Sequence, residues 1–210
     1  MRHWLFLVLL AASVWGAGHW FLYERAVHHA PGPLAPEEPA IALGSQLPPW
    51  TDARGFRYGA LGRFAGRVVV VSRRNYAIGE FAHLAPTDLA IVWGPLSDPR
   101  AYAQLSFDQR GSPFSGRYVA PELRAGTALA QRPFAETQAY LLANLTHVHT
   151  IAASDSIASQ LAAIRPGQVV RFSGILVDVT SPAGGRYTSS LALHDYDCEI
   201  AWIDDLELVE

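Results

Sequence analysis

The sequence predicts a mainly β (α+β) body, a small OB-like or SH3-like barrel or meander with one or two packed helices, behind an N-terminal transmembrane helix. From about residue 50, short apolar runs broken by Gly and Pro are typical of strands. Helical periodicity is limited to two stretches of this body, and a long uncharged run opens the chain. We therefore expect an anchor over 1–25, a proline-rich linker over 26–49 and a β-rich extracytoplasmic domain over 50–210.

Four segments of the body can be placed individually. Gly66–Ser72 and Asp88–Trp93 are apolar runs of the length of a buried strand. Ser156–Ile164 repeats its apolar residues at helical spacing before a Pro-Gly stop, which predicts a helix. Phe134–Leu145 follows a proline and is a second helix candidate.

The last third of the chain predicts a three-stranded antiparallel meander. The long strand over 168–179 carries Gly174 in its middle, as bends that close small barrels do. Residues 187–194 alternate after a glycine-rich turn. The segment 198–209 also alternates, with Cys198 and Ile200 on one face and Glu199 on the other.

The N-terminal run Trp4–Tyr23 has no charged residue, and twenty helical residues span about 30 Å, the thickness of a bilayer core. A cleaved secretory signal is the alternative, but a cut after Ala17 puts Trp15 at −3, and a cut after Gly16 leaves the hydrophobic run Trp20–Tyr23 exposed near the start of the mature chain. We expect an uncleaved anchor whose partner is inner-membrane lipid through residues 4–23, with the body on the outer side.

Composition excludes several classes of protein. The 210 residues are 50% apolar and 17% charged with a net charge of −3, which excludes a disordered tail and a basic nucleic-acid binder. One cysteine excludes a disulfide framework and a Cys-rich zinc module on this chain alone. No phosphate loop, dinucleotide fingerprint, His-Glu-x-x-His or serine elbow occurs. No cofactor is therefore expected, a divalent metal being the alternative.

Six short strings occur in order along the body: Leu84–Asp88, Trp93–Asp98, His149–Ala153, Gly174–Val177, Ser189–Leu191 and Cys198–Glu199. Together they resemble a family of uncharacterised bacterial proteins with a single N-terminal membrane anchor. The chain departs from the family pattern at Ala152, at Tyr187 and at Asp195–Asp197, which stand where the family has a proline, a tryptophan and a glycine-rich turn. The resemblance implies the anchored architecture and no activity, and it favours a bacterial inner-membrane protein with a periplasmic C-terminal domain.

The pair His147 and His149 is the candidate metal site. Residues two apart on a strand point to the same face, so both imidazoles could bind one ion. His194, or a carboxylate of Asp195 or Asp197, is the candidate third ligand. The alternative is a pair at a strand edge that hydrogen-bonds the backbone.

Two further residue sets are candidates for binding. Trp93 and Asp98 are a candidate pocket rim, with a packed turn around a core tryptophan as the alternative. A run of arginines without intervening acids is a candidate basic face for anionic headgroups or a partner, with cross-strand pairing to the acidic C-terminus as the alternative. These arginines are Arg54, Arg57, Arg63, Arg67, Arg73 and Arg74.

Cys198 could be a nucleophile with His194 or His149 as its base. Its position in the strand alternation instead favours an inert, buried thiol. The sequence thus favours a membrane-anchored envelope protein that acts without catalysis, as an interaction or scaffold module for an envelope protein partner. Two alternatives stay open: a metal-dependent hydrolase that uses the His-x-His pair, and a small-ligand binding module.

Overall fold

The computed structural model describes residues 8, 10, 12–14, 16, 18, 25–44, 47–111, 116–195 and 197–209. Most of the predicted anchor, Trp4–Tyr23, lies outside these residues, and those of its residues that are described are helical. Within the described part of the chain, no helix combines the length and apolar character needed to cross a bilayer.

The body is mainly β, as predicted. The strands are β1 (Ala40–Leu43), β2 (Trp50–Thr51), β3 (Arg57–Asn75), β4 (Thr87–Val92), β5 (Leu105–Arg110), β6 (Tyr118–Leu123), β7 (Leu145–Ala152), β8 (Val169–Thr180), β9 (Arg186–Tyr187) and β10 (Glu199–Leu208). The helices are α1 (Glu80–Leu84), α2 (Pro99–Tyr102), α3 (Phe134–Leu142) and α4 (Asp155–Ala163), with 3-10 turns at Gly94–Ser97 and Leu129–Gln131.

Five of these strands pair in a ring. The long strand β3 is antiparallel to both β4 and β8. β4 is antiparallel to β7, β7 is parallel to β10, and β10 is antiparallel to β8. The predicted meander is corrected here: β8 and β10 pair directly, because the segment between them forms only the two-residue strand β9 and otherwise a loop.

Large apolar side chains fill the interior of the ring. Phe64 of β3 and Phe172 of β8 meet edge to face with centroids 4.8 Å apart, within the favourable range for aromatic pairs. Helix α4 contributes Ile157 and Leu161 to the same core. Ser154 caps this helix by accepting a hydrogen bond from the Ile157 amide.

Both predicted helices form, with shifted boundaries. α4 lies one residue earlier than the predicted 156–164, and α3 ends at Leu142 because Leu145 already begins β7. The predicted strands at 66–72 and 88–93 lie within β3 and at β4.

The predicted linker lies against the body over much of its length. The Val27 amide donates to the Pro166 carbonyl at 2.7 Å, and Ala35 is fully buried. Strand β1 pairs with β3. A proline-rich stretch without periodicity can still bury a small side chain and join a sheet edge, which composition alone does not reveal.

Candidate functional site

The pairing of β4 with β7 brings a carboxylate to the histidine pair. Asp88 is the register partner of His149, and Ala90 is the partner of His147. The two imidazoles lie on one side of β7, as their spacing predicted, with ring centroids 4.7 Å apart. Asp88 is fully buried and both histidines nearly so.

The Asp88 carboxylate lies close to one ring nitrogen of each histidine. Its Oδ1 lies 2.9 Å from Nδ1 of His149, and its Oδ2 lies 3.7 Å from Nε2 of His147. Among the described residues, neither that Oδ2 nor that Nε2 has a hydrogen-bond partner. A carboxylate that accepts from one ring nitrogen fixes the tautomer and leaves the other nitrogen of the ring free to bind a metal.

Cys198 completes the cluster from the residue before β10. Its Sγ lies 3.2 Å from Nδ1 of His147. One ligand atom from each of His147, His149 and Cys198 lies within 4.8 Å of the others. Ligand atoms around tetrahedral zinc are about 3.3–3.8 Å apart, so side-chain shifts of about 1 Å would close the three around one ion.

His194 does not join this cluster. Its Nδ1 lies 3.2 Å from the Leu142 carbonyl and its Nε2 lies 3.1 Å from Glu38. Of the two candidate carboxylates, Asp197 lines the same cleft as Cys198, and Asp195 accepts from the Ser190 hydroxyl. The predicted histidine pair is thus brought together with the cysteine instead of with His194.

The protonation of the cluster does not resemble that of a cysteine protease. Burial, helped by Glu199 and Asp88, raises the pKa of Cys198 to about 12. Burial, helped by His149 and Arg117, holds the pKa of His147 well below its usual range. Without a cation the thiol and the imidazole are therefore both neutral, which disfavours a thiolate-imidazolium nucleophile.

Arg117 supports the cluster and was not found from the sequence. Its Nη2 lies 3.0 Å from Asp88 Oδ1 and donates to the Ala85 carbonyl at 2.9 Å. The guanidinium lies between the rings of Tyr76 and Phe81, with Cζ 4.1 and 4.4 Å from the centroids. Burial lowers the pKa of Arg117, while the charge of Asp88 opposes that shift. The buried ion pair between the two side chains helps to hold the Asp88 carboxylate in place.

An open cleft of about 720 Å³ adjoins the cluster. His149, Cys198 and Arg117 line it, together with α1 and the loop that follows β9. Its polar lining includes the hydroxyl groups of Tyr187, Thr188, Ser189 and Ser190 and the carboxylates of Glu80 and Asp197. A ligand in this cleft could therefore reach the cluster while hydrogen-bonding to the loop.

A second, mainly apolar groove of about 310 Å³ also reaches the cluster. His147 and Cys198 line it, together with residues of β6 and α3. Cys198 therefore lines both a polar cleft and an apolar groove.

Glu199 lies on the opposite face of β10 from this cluster, as its strand phase predicted, but it is fully buried. The Thr146 hydroxyl donates to Oε2 of Glu199, and Oε1 has no hydrogen-bond partner in the part of the chain that the structure describes. Burial raises the pKa of Glu199 to about 8.

Trp93 and Asp98 form a packed turn and line neither of these cavities. Trp93 is 2% exposed in the ring core. Asp98 begins α2, accepting from the Arg100 amide at 2.8 Å, and its carboxylate lies 2.6 Å from the Arg100 guanidinium. The turn alternative therefore describes this region better than the pocket rim.

We expect Asp98 to stabilise the fold above about pH 4. The side-chain hydrogen bond from Arg100 lowers the pKa of Asp98 to about 2 from 3.8, so its contribution is lost as pH falls through about 2. Asp98→Asn keeps a helix cap but removes the charge. Thermal melts should show the variant a few degrees below the parent at pH 6, with the gap closing towards pH 2. A gap unchanged over this range would show that the ion pair contributes nothing.

The six arginines do not form one face. Arg73 donates to the Ala162 carbonyl of α4, whereas the adjacent Arg74 donates to the Gln109 carbonyl of β5, on the other side of β3. Arg63 pairs with Asp204 at 3.1 Å, which is the predicted approach of the basic and acidic segments. Arg54 pairs with Asp52. The remaining two are Arg57 and Arg67 of β3.

Comparison with protein-family models, with curated proteins and with solved structures finds no match for this chain.

Proposed function

We propose that the chain is a metal-dependent hydrolase whose ion is zinc, held by His147, His149 and Cys198. The observation that carries the proposal is the Asp88 carboxylate behind both imidazoles, with Cys198 on their other side. Imidazole nitrogen and thiolate sulfur suit zinc and exclude magnesium and calcium, which prefer oxygen ligands. Copper also accepts this donor set, and metal analysis distinguishes the two.

Three protein ligands leave a fourth position for water, which is the pattern of catalytic zinc. A bound zinc lowers the pKa of its water to about 7 and polarises a carbonyl. Hydrolysis then adds water across the scissile bond and releases an acid and an alcohol or amine. Asp197 and Glu80 line the adjoining cleft and are the candidate proton acceptors.

The ring topology supports an OB-type barrel as the scaffold. In chain order the ring strands are β3, β4, β7, β8 and β10, and the first pairs with both the second and the fourth. OB barrels bind ligands on their second and third strands and on the loops between strands one and two and between strands four and five. Here those features are β4, β7, 76–86 and 181–198, and they supply most of the cleft lining.

The cellular location is proposed from the sequence alone: an inner-membrane anchor at Trp4–Tyr23 with a periplasmic body. The noncatalytic interaction module stays as the second candidate, supported by that anchored architecture. The buried histidines favour the hydrolase because a docking surface gives no reason to bury two imidazoles between a carboxylate and a thiol.

The test is the metal content of the full-length chain, purified in lipid nanodiscs without a metal-binding tag. We expect about one zinc per chain, lost in Cys198→Ser and in His149→Ala. The matched control is His194→Ala, which removes a histidine that the structure places outside the cluster and which should keep its zinc. Thermal melts of the parent and the three variants check that each protein folds. Cys198→Ser is expected to fold because it replaces only the sulfur atom by oxygen.

Two results would contradict the proposal. One is a folded parent chain that contains no metal after supplementation with zinc or copper. The other is a Cys198→Ser variant that binds zinc as tightly as the parent. Hydrolysis of acyl esters that a chelator abolishes and zinc restores would support the reaction itself.

A further inference from the structure

We infer that the substrate carries an apolar acyl chain, which lies in the groove between β6 and α3 with its carbonyl at the metal. This inference rests on the proposed metal site and specifies its substrate class. It starts from the two cavities that meet at Cys198, one polar and one apolar.

The groove has the chemistry of a chain-binding site. Most of its lining residues are apolar, and its acidic lining residues, Asp195 and Asp197, are close in sequence to the cluster residue Cys198. The walls expose large apolar side chains to solvent: Phe134 is 74% exposed, Tyr118 49% and Leu123 39%. Covering such surface is favourable.

Continuity with the cluster favours a substrate group over a docked protein. A chain in the groove ends beside Sγ of Cys198, so its first polar group meets the metal. The 310 Å³ volume corresponds to about ten water-sized groups, which suits a short acyl chain. On the other side of the metal, the hydroxyl-lined cleft receives the polar leaving group.

The scissile bond is the carbonyl carbon's bond to the oxygen or nitrogen of the leaving group. The metal-bound water adds its oxygen to that carbon, and one of its protons passes to the leaving group. The products are a carboxylic acid, retained by its chain in the groove, and a polar alcohol or amine in the cleft. No oxidant or further reactant is needed.

The test uses two hydroxamates, which bind metal through the same two oxygens and differ in chain length. Acetohydroxamate and hexanohydroxamate are titrated into the cobalt-substituted full-length chain and followed by absorption. Each fully buried methylene tightens binding roughly fourfold, so we expect the longer compound to bind at least about 30-fold more tightly.

Two matched variants distinguish binding of the longer chain in the groove from its partition into the lipid. Leu123→Asp places a charge on the groove wall and should reduce the ratio to below about 5, leaving acetohydroxamate unchanged. Leu208→Asp changes a leucine that is 50% exposed and outside the groove, and should keep the full ratio. Phe134→Asp, at the most exposed wall position, repeats the test if Leu123→Asp does not fold.

The outcomes distinguish the two proposals. Equal affinity for both hydroxamates would overturn the acyl-chain inference while leaving the metal site intact, and it would point to another occupant of the groove. A ratio that is unchanged in the groove variant that folds would also overturn it. A chain that takes up no cobalt would overturn the metal site.

Discussion

Replacing Asp88 by Asn is expected to lower the free energy of unfolding of the metal-free protein by about 3–5 kcal/mol. The Arg117 side chain is 3% exposed and pairs with Asp88 at 3.0 Å. Removing the negative charge leaves a buried guanidinium without compensation, although Asn preserves the volume. Urea unfolding in the presence of a chelator measures this loss as a lower midpoint at constant m value.

The control for this variant is Asp108→Asn, the same change at an exposed ion pair with Arg110. It should cost less than about 1 kcal/mol. The double variant of Asp88→Asn with Arg117→Gln removes both charges and should be less destabilised than the sum of the single variants. Additive costs would show that the two residues do not act as a pair.

After zinc is restored, Asp88→Asn should bind it about 10–100-fold more weakly.

Replacing Gly174 by Val is the second change with a large expected effect. A Cβ at this position would collide with the Trp202 carbonyl oxygen and lie 3.1 Å from Cα of Ile203. Both contacts are with the backbone of β10, so no side-chain rotation can relieve them. We expect a loss of about 3 kcal/mol, at the upper end for overpacking, measured by urea unfolding.

Gly59→Val is the matched control, because a Cβ at Gly59 has no atom within 4 Å. Gly59 also lies in a ring strand, opposite Asp178 of β8. Since a glycine within a strand weakens it, this variant should be neutral or slightly more stable. Equal destabilisation at the two positions would show that the close approach of β8 and β10 is not what requires Gly174.

Local patterns predicted the elements of the ring, and long-range pairing decided the rest. The apolar runs in β3 and β4 were visible because a fully buried strand is a short apolar run. The alternation over 198–209 was visible because a strand repeats every two residues. The pairing of β8 with β10 was not, because the residues between them were expected to form a strand and instead form a loop.

Only part of the candidate site could be predicted from the sequence. The spacing of His147 and His149 predicted their shared face, but nothing local identifies Cys198, about fifty residues later, as their neighbour. His194 was predicted as the third ligand because it is another histidine. It lies outside the cluster, where its ring contacts the Leu142 carbonyl and the Glu38 carboxylate. One signal was available for Asp88: a carboxylate that opens a buried strand requires a polar partner.

Zinc-edge X-ray absorption of the full-length chain tests the central claim most directly. We expect one sulfur neighbour at about 2.3 Å and nitrogen neighbours at about 2.0–2.1 Å, with the sulfur lost in Cys198→Ser and retained in His194→Ala. A shell of oxygen and nitrogen alone, or a folded chain that holds no metal, would contradict the account.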